Sequence, residues 1–315
     1  MKPVISADHD IVYDLAVSPN FAWDSTCFAA RASGLYRSSD GGHSWQFCFE
    51  TLQLEVPLAT TAVAVSPLFV TDHTIFCGIP GAIMRSCDGG TTWQATLLPP
   101  PQTPVTALAI SPGYREDSVV LAATFEDGIY VTENGGDRWV PRSFGLMDLN
   151  VLALVLSPEY TQDETAFAGT ESGVFYSTNG GRAWRETGFP MECAPVLCLA
   201  VSPDFARDAT VWAGTESHGL FRSLDGGIRW QEVGTLEVNG PVNAIIVART
   251  PSLPPSVLVM EPEALWISRD GGVSWSHWRE GMHFQAGLTC VVAPFGLTPG
   301  AHLLVGLEDG TVCQV

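Results

Sequence analysis

Lysine is almost missing from this chain. Lys2 is the single one, and basic residues total 15 against 34 acidic ones, a formal net charge of −19. Phosphate backbones and anionic lipid surfaces are both bound through Lys and Arg. Neither nucleic acid nor a membrane is therefore expected as a partner. Apolar runs of about 18 residues, the length that spans a bilayer, are also missing. The opening residues, Met1-Lys2-Pro3-Val4-Ile5-Ser6-Ala7-Asp8, lack the apolar stretch of a secretory signal. The chain is accordingly expected in the cytoplasm.

Familiar reactive signatures are missing too. The eight cysteines (Cys27, Cys48, Cys77, Cys87, Cys193, Cys198, Cys290 and Cys313) include no C-x-x-C pair. In a reducing compartment they read as small buried side chains, not as disulfides or metal ligands. There is no G-x-S-x-G, no phosphate-binding glycine loop and no H-E-x-x-H. His277 and His283, with Glu280 between them, match no metal-ligand spacing. No cofactor and no metal is expected.

What is abundant is turn chemistry. The 31 glycines and 22 prolines recur at intervals, as in an all-β protein with frequent turns. A tight turn of the form S-x-D-G-G-x-x-W appears at Ser38–Trp45 and Ser86–Trp93, with Asp40 and Asp88 at its centre. Asn134 and Asn179 replace the Asp in the copies ending at Trp139 and Trp184. Asp225 and Asp270 centre the copies ending at Trp230 and Trp275. Successive tryptophans are 48, 46, 45, 46 and 45 residues apart. Asp or Asn can bond backbone N–H groups two residues on, and Gly accepts the positive φ of a hairpin turn. The Ser or Thr hydroxyl adds a weaker local bond. Each Trp is expected to pack under the next hairpin.

In the first five units an apolar strand ends in Ser-Pro and is followed by an aromatic and an Asp. Leu15–Phe21 with Asp24 and Leu199–Phe205 with Asp208 are two examples. The sixth and seventh copies of this strand are degenerate, at Val247-Ala248 and Val292-Ala293-Pro294. Another strand centres on Phe28, Phe76, Leu121, Phe167, Trp212, Leu258 or Leu304. Strands of both kinds occur seven times, the Asp or Asn turns six times. The chain reads as one domain, 1–315: an all-β, seven-bladed β-propeller of four-stranded blades. The seventh unit stops at Thr311–Val315, before its own turn and fourth strand. Residues 3–6 are expected to supply that strand and close the ring, protecting an otherwise open edge.

The six phased turns resemble the Asp-box, or BNR, repeat family, and the match covers nearly the whole chain. Similar proteins include sialidases, xyloglucan-cleaving glycosidases, sortilin-type receptors and photosystem II assembly factors. The resemblance implies a propeller whose Asp-boxes are structural and lie on the rim, away from any active site. This chain departs from each relative. Sialidases have six blades, three carboxylate-gripping arginines and a Tyr–Glu pair. Here Arg37, Arg85 and Arg222 occupy equivalent repeat positions, which suits a strand face and not a unique site. The xyloglucan-cleaving enzymes pair two propellers, and the assembly factors carry a basic patch and a targeting segment.

The turns joining second to third strands are rich in acid. They contain Glu126 and Asp127, Glu171, Glu216, Glu261 and Glu263, and Glu308 and Asp309. Gathered by a ring, they would form a negative collar at a channel mouth and attract Arg- or Lys-rich segments. The connections between units include Leu97-Leu98, Phe144-Gly145-Leu146-Met147, Phe189-Pro190-Met191 and His277-Trp278-Arg279-Glu280. They read either as a protein-binding rim or as packing between blades. Two functions follow. One is a non-enzymatic scaffold that binds a protein partner or sister subunit, one of basic character fitting best, through the acidic face. The alternative is a glycosidase or lyase acting at the channel mouth with carboxylates of the collar.

Overall fold

The computed structural model describes residues 10–99, 102–249 and 254–315. They form a seven-bladed β-propeller, each blade an antiparallel sheet paired in chain order. The first blade shows the pattern: Val12–Val17, Cys27–Arg31, Gly34–Ser38 and Gln46–Phe47. Six sheets have four strands. The seventh has three among the described residues: Leu288–Val292, Leu304–Leu307 and Val312–Gln314. The expected closing strand, residues 3–6, lies outside the described residues.

Two compact units divide the chain. One comprises Met1–Ala122, Thr132–Val140 and Ala286–Val315; the other comprises Ala123–Val131 and Pro141–Gln285. Second strands form the core of both. Val211–Thr215 is buried at every residue, and Phe28, Phe76, Leu121, Trp212 and Leu258 are fully covered. A short continuous apolar run suits a strand enclosed on both faces, where alternation would bury polar groups.

Two turns knit one end of each of the first five repeats. In the first blade, Asp24 accepts from the Ser18 hydroxyl at 2.6 Å and from the Thr26 N–H at 2.8 Å. Between them Phe21–Asp24 makes one helical turn, ended by Ser25 in the left-handed region at φ 49°. The Ser25 carbonyl then accepts from Gly41 N–H at 2.9 Å, tying this turn to the Asp40 turn. The same Ser–Asp bond recurs at Ser66–Asp72, Ser111–Asp117, Ser157–Asp163 and Ser202–Asp208.

Within the Asp40 turn, the roles differ from those expected. The carboxylate reaches three and four residues on, to the N–H groups of His43 and Ser44 and the Ser44 hydroxyl. The hydroxyl of Ser38 takes the nearer Gly42 N–H at 2.8 Å and donates to Asp40 at 2.7 Å. Bonds from the Ser274 hydroxyl and N–H hold the equivalent Asp270 down to about 2.

The tryptophans pack against the preceding blade, not the next. Trp93 donates to Cys48 O at 3.1 Å and Trp184 to Arg142 O at 2.7 Å. Trp93 also meets Phe49, and Trp230 meets Phe189, edge to face at 5.3 and 5.4 Å. The ring extends back over the neighbour because the turn that precedes it already faces that blade. Cysteines also differ from expectation. All eight are free, but only Cys27, Cys48, Cys77 and Cys290 are buried, and Cys87 is exposed. Cys27, Cys77 and Cys290 lie on covered strands and Cys48 just beyond the fourth strand of the first blade, whereas Cys87 occupies the variable second position of its turn, which is exposed.

A latch joins neighbouring blades. Arg37 donates to Gly89 O at 2.9 Å, Arg222 to Gly271 O at 2.5 Å, and Arg85 to Gly135 O. Each carbonyl belongs to the first glycine of the following blade's turn. Gln314 holds the matching position in the seventh blade and donates to Gly41 O at 2.6 Å. The repeat-equivalent arginines thus serve blade packing. In the first unit the seventh blade packs directly on the first, through Leu304, Cys290, Val12 and Leu15. Arg222 also lies over the Trp212 ring at 5.4 Å. Removing a charged donor from a partly covered carbonyl costs about 2 kcal/mol. Arg222→Ala should lower the unfolding free energy by that amount in urea, and Gln314→Ala by about half of it. Unchanged midpoints would show the latch to be energetically idle.

Candidate partner-binding surface

Antiparallel order places the turns between second and third strands at the same end of each blade as the connections entering its first strand. Hydrogen bonds stitch the two together. In the second unit, Asp148 accepts from Ser172 N–H at 2.8 Å, and Asn150 donates to Glu171 at 2.6 Å. Glu216 N–H donates to Pro195 O at 3.2 Å, and Gly240 N–H to the Glu261 carboxylate at 2.9 Å. The other unit uses the same device: Glu308 N–H donates to Gly287 O at 3.0 Å.

The structure places six of the eight expected acids in the second unit and two, Glu308 and Asp309, in the first. Their states differ. Glu126, Glu171, Glu216, Glu263, Glu308 and Asp309 are exposed. Glu126 sits at its turn with φ 78°. Asp127 accepts from the Tyr130 hydroxyl, and burial followed by this carboxylate pushes that hydroxyl's pKa up. Asp309 caps its own turn by accepting from Thr311 N–H at 2.8 Å. Glu261 is half-buried and fully engaged, because Trp266 donates to its second oxygen at 2.8 Å. Trp266 in turn stacks on His277 at 4.0 Å. Asp127, Glu261 and Asp309 therefore hold turns together, whereas Glu126, Glu216 and Glu263 are unengaged by any ion pair among the described residues.

Both ends of the second unit carry acids, but the arginines are unevenly shared between them. At the acidic end Glu192, Glu237 and Glu280 lie on the connections, with Arg142 and Arg279 as the basic residues there. Arg182, Arg207, Arg229 and Arg269 lie in turns at the opposite end. Arg182 pairs there with Glu164 at 2.9 Å and Arg207 with Asp204 at 3.5 Å.

The connections divide their apolar side chains between burial and exposure. Leu98, Leu146, Phe189 and Trp278 fold inward, while Leu97, Phe144, Met147 and Met191 stand outward. Phe144 and Met147 are each 80% exposed, high for large apolar side chains on an ordered loop. Glu263, His277, Arg279, Met282, His283 and Phe284 line a shallow cleft of about 260 Å³ in the sixth blade. No group of three His, Cys, Asp or Glu among the described residues is placed to hold a metal ion. No described helix is long and apolar enough to cross a membrane.

Sequence reasoning missed Asp148 and Asn150, which have no repeat signature. It also missed Asp14, although a signal existed. Four residues before each Ser-Pro serine stand Asp14, Ala62, Ala107, Ala153 and Cys198, so one acid interrupts a small-residue series.

No protein-family model matches the chain, and no curated protein matches it. Its fold is similar to that of solved propellers. An ancestral GH74 enzyme superposes with a TM-score of 0.73 at 20% identity, over 99% of this chain and 45% of that one. YCF48 bound to D1 peptide superposes at 0.71 with 16% identity, over 97% and 93% of the two chains. YCF48 from Cyanidioschyzon merolae gives 0.67 at 17% identity, over 99% and 97%. This chain thus spans less than half the length of the GH74 enzyme and nearly the whole of each YCF48. At these identities the likeness establishes the fold alone.

Proposed function

We propose that this propeller is a non-enzymatic scaffold, cytoplasmic, that binds a basic protein segment at the acidic end of its second unit. The observation that carries this reading is the set of exposed carboxylates Glu126, Glu171, Glu216 and Glu263, none in an ion pair among the described residues, at the same end as the exposed apolar side chains of the connections. Carboxylates in solvent cost little, but their summed field draws cations and speeds encounter. Apolar side chains beside them supply the burial that turns encounter into a complex. A YCF48 of similar fold and nearly equal length binds the D1 peptide, which supports peptide capture by such a ring. The six phased turns fit the Asp-box repeat and serve as its structural staples.

The fold likeness to GH74 enzymes favours one second reading, glycoside cleavage by collar carboxylates. The two readings separate by experiment. Immobilised protein should retain a stoichiometric protein partner that is released by salt and lost on Glu171→Arg with Glu216→Arg. Turnover of xyloglucan oligosaccharides, abolished by one acid-to-amide change, would replace the scaffold reading with the enzymatic one.

A further inference from the structure

The connection 142–150, between the third and fourth blades, differs from an ordinary mobile loop. Several hydrogen bonds hold it. Trp184 donates through its indole to Arg142 O at 2.7 Å and through its backbone to Phe144 O at 2.8 Å. Gly128 N–H donates to Leu149 O at 3.0 Å. Asp148 accepts from Ser172 N–H, and Asn150 donates to Glu171. The loop is therefore pinned on one side to the turn bearing Glu126 and Asp127, and on the other to the turn bearing Glu171. Gly145 fits only because it lacks a side chain: a Cβ there would stand 2.3 Å from Trp184 O, at φ 80°.

Despite this anchoring, Phe144 and Met147 remain 80% exposed and Leu149 40%. A fixed apolar tip costs solvation without relief in the free protein, and its ordering entropy has already been spent in folding. Such a tip is prepared for an occupant. Acid on both flanks specifies what the occupant carries.

We propose that Phe144, Met147 and Leu149 anchor an extended segment of a partner protein that presents one apolar side chain between Lys or Arg residues. The apolar residue packs on the tip, and the flanking cations meet Glu126 on one side and Glu171 on the other. This rests on the scaffold reading and narrows it to one loop. Met at the contact accommodates several apolar shapes, whereas the pinned backbone fixes the spacing of the cations.

The test uses the full chain and a fluorescein-labelled peptide, Arg-Lys-Arg-Leu-Arg-Lys-Arg, with fluorescence anisotropy at moderate salt. Phe144→Ser with Met147→Ser should weaken binding about tenfold, as expected when a large apolar contact is lost. Replacing the peptide's Leu by Ser should do the same, and the two changes together should cost little more than either alone. Glu171→Gln should weaken binding and flatten its salt dependence. Equal binding of the Leu and Ser peptides overturns the proposal. So does retention by the Phe144/Met147 variant with loss on Glu216→Arg, which leaves the acidic end itself as the binding surface. Binding of neither peptide overturns both readings. A dimer in gel filtration that dissociates on the Phe144/Met147 change would assign the tip to a second copy instead.

Discussion

Raising the pH from about 4 to about 7 should destabilise this protein through one side chain, Asp14. It lies on the first strand of the first blade, at a register irregularity between Val12 and Asp14. Its carboxylate accepts from Leu15 N–H at 2.8 Å and from Val63 N–H, in the second blade, at 2.9 Å. Burial pushes its pKa from 3.8 to about 7, and the two N–H bonds only moderate the rise. Some of the side chain's surface stays accessible, yet it lies deep among protein atoms, and depth governs the solvation of a charge. Between the two values the folded protein keeps a proton that the unfolded chain has released. Unfolding therefore releases a proton and grows more favourable as pH rises. The loss is complete above the folded value and absent below the unfolded one. A shift of about three units corresponds to an upper bound of ~4 kcal/mol.

Asp14→Asn isolates the effect. Urea midpoints for the two proteins should cross within this pH range, the variant being slightly the less stable near pH 4 and the more stable at pH 7. The amide forfeits one of the two backbone bonds, because its nitrogen cannot accept, which subtracts about 1 kcal/mol at every pH. Parallel midpoint curves would refute the assignment. The turn aspartates act oppositely and at lower pH. Asp270, held to about 2, contributes stability above its unfolded value that is lost as pH falls through that range.

The second large effect is expected at Trp212. Its side chain is fully buried in the fifth blade and packs with Leu220, Val238, Val242, Val257 and Val259, several of them from the sixth. Trp212→Ala should cost about 3–5 kcal/mol, for lost burial and the cavity left behind. Gly272 supplies an internal control. A Cβ at that position would stand 2.5 Å from the Trp212 ring, at φ 89°. Gly272→Ala should thus be strongly destabilising alone. In the Trp212→Ala background the steric part disappears and only the backbone strain remains. Additive losses in this double-mutant cycle, measured by urea unfolding, would mean that ring and glycine do not interact.

Most of the fold was legible because it repeats. The Ser–Asp bonds and the glycines at positive φ rest on interactions within a few residues. Such interactions leave their spacing in the chain, and several copies make the spacing unmistakable. Arg37, Arg85 and Arg222 could likewise be read as repeat members, which removed them as candidates for a unique site. The direction in which Trp93 and Trp184 pack was not legible, since a side chain's partner in another blade leaves no local trace.

The candidate surface was only half legible. Acidic turns could be found by position, yet nothing local distinguished Glu261, engaged by Gly240 and Trp266, from Glu216, which faces solvent. The loop 142–150 could be read as apolar, but not as pinned.

From its residues alone this chain determines the number of blades, the chemistry of its turns and its strongly acidic charge, because each depends on composition and short-range spacing. Tertiary structure alone decided which carboxylates are spent on packing, which apolar side chains stay outside, and that Asp14 is deep enough to hold a proton near neutrality. Those outcomes depend on distances between residues far apart in the chain, and on how much water each group retains.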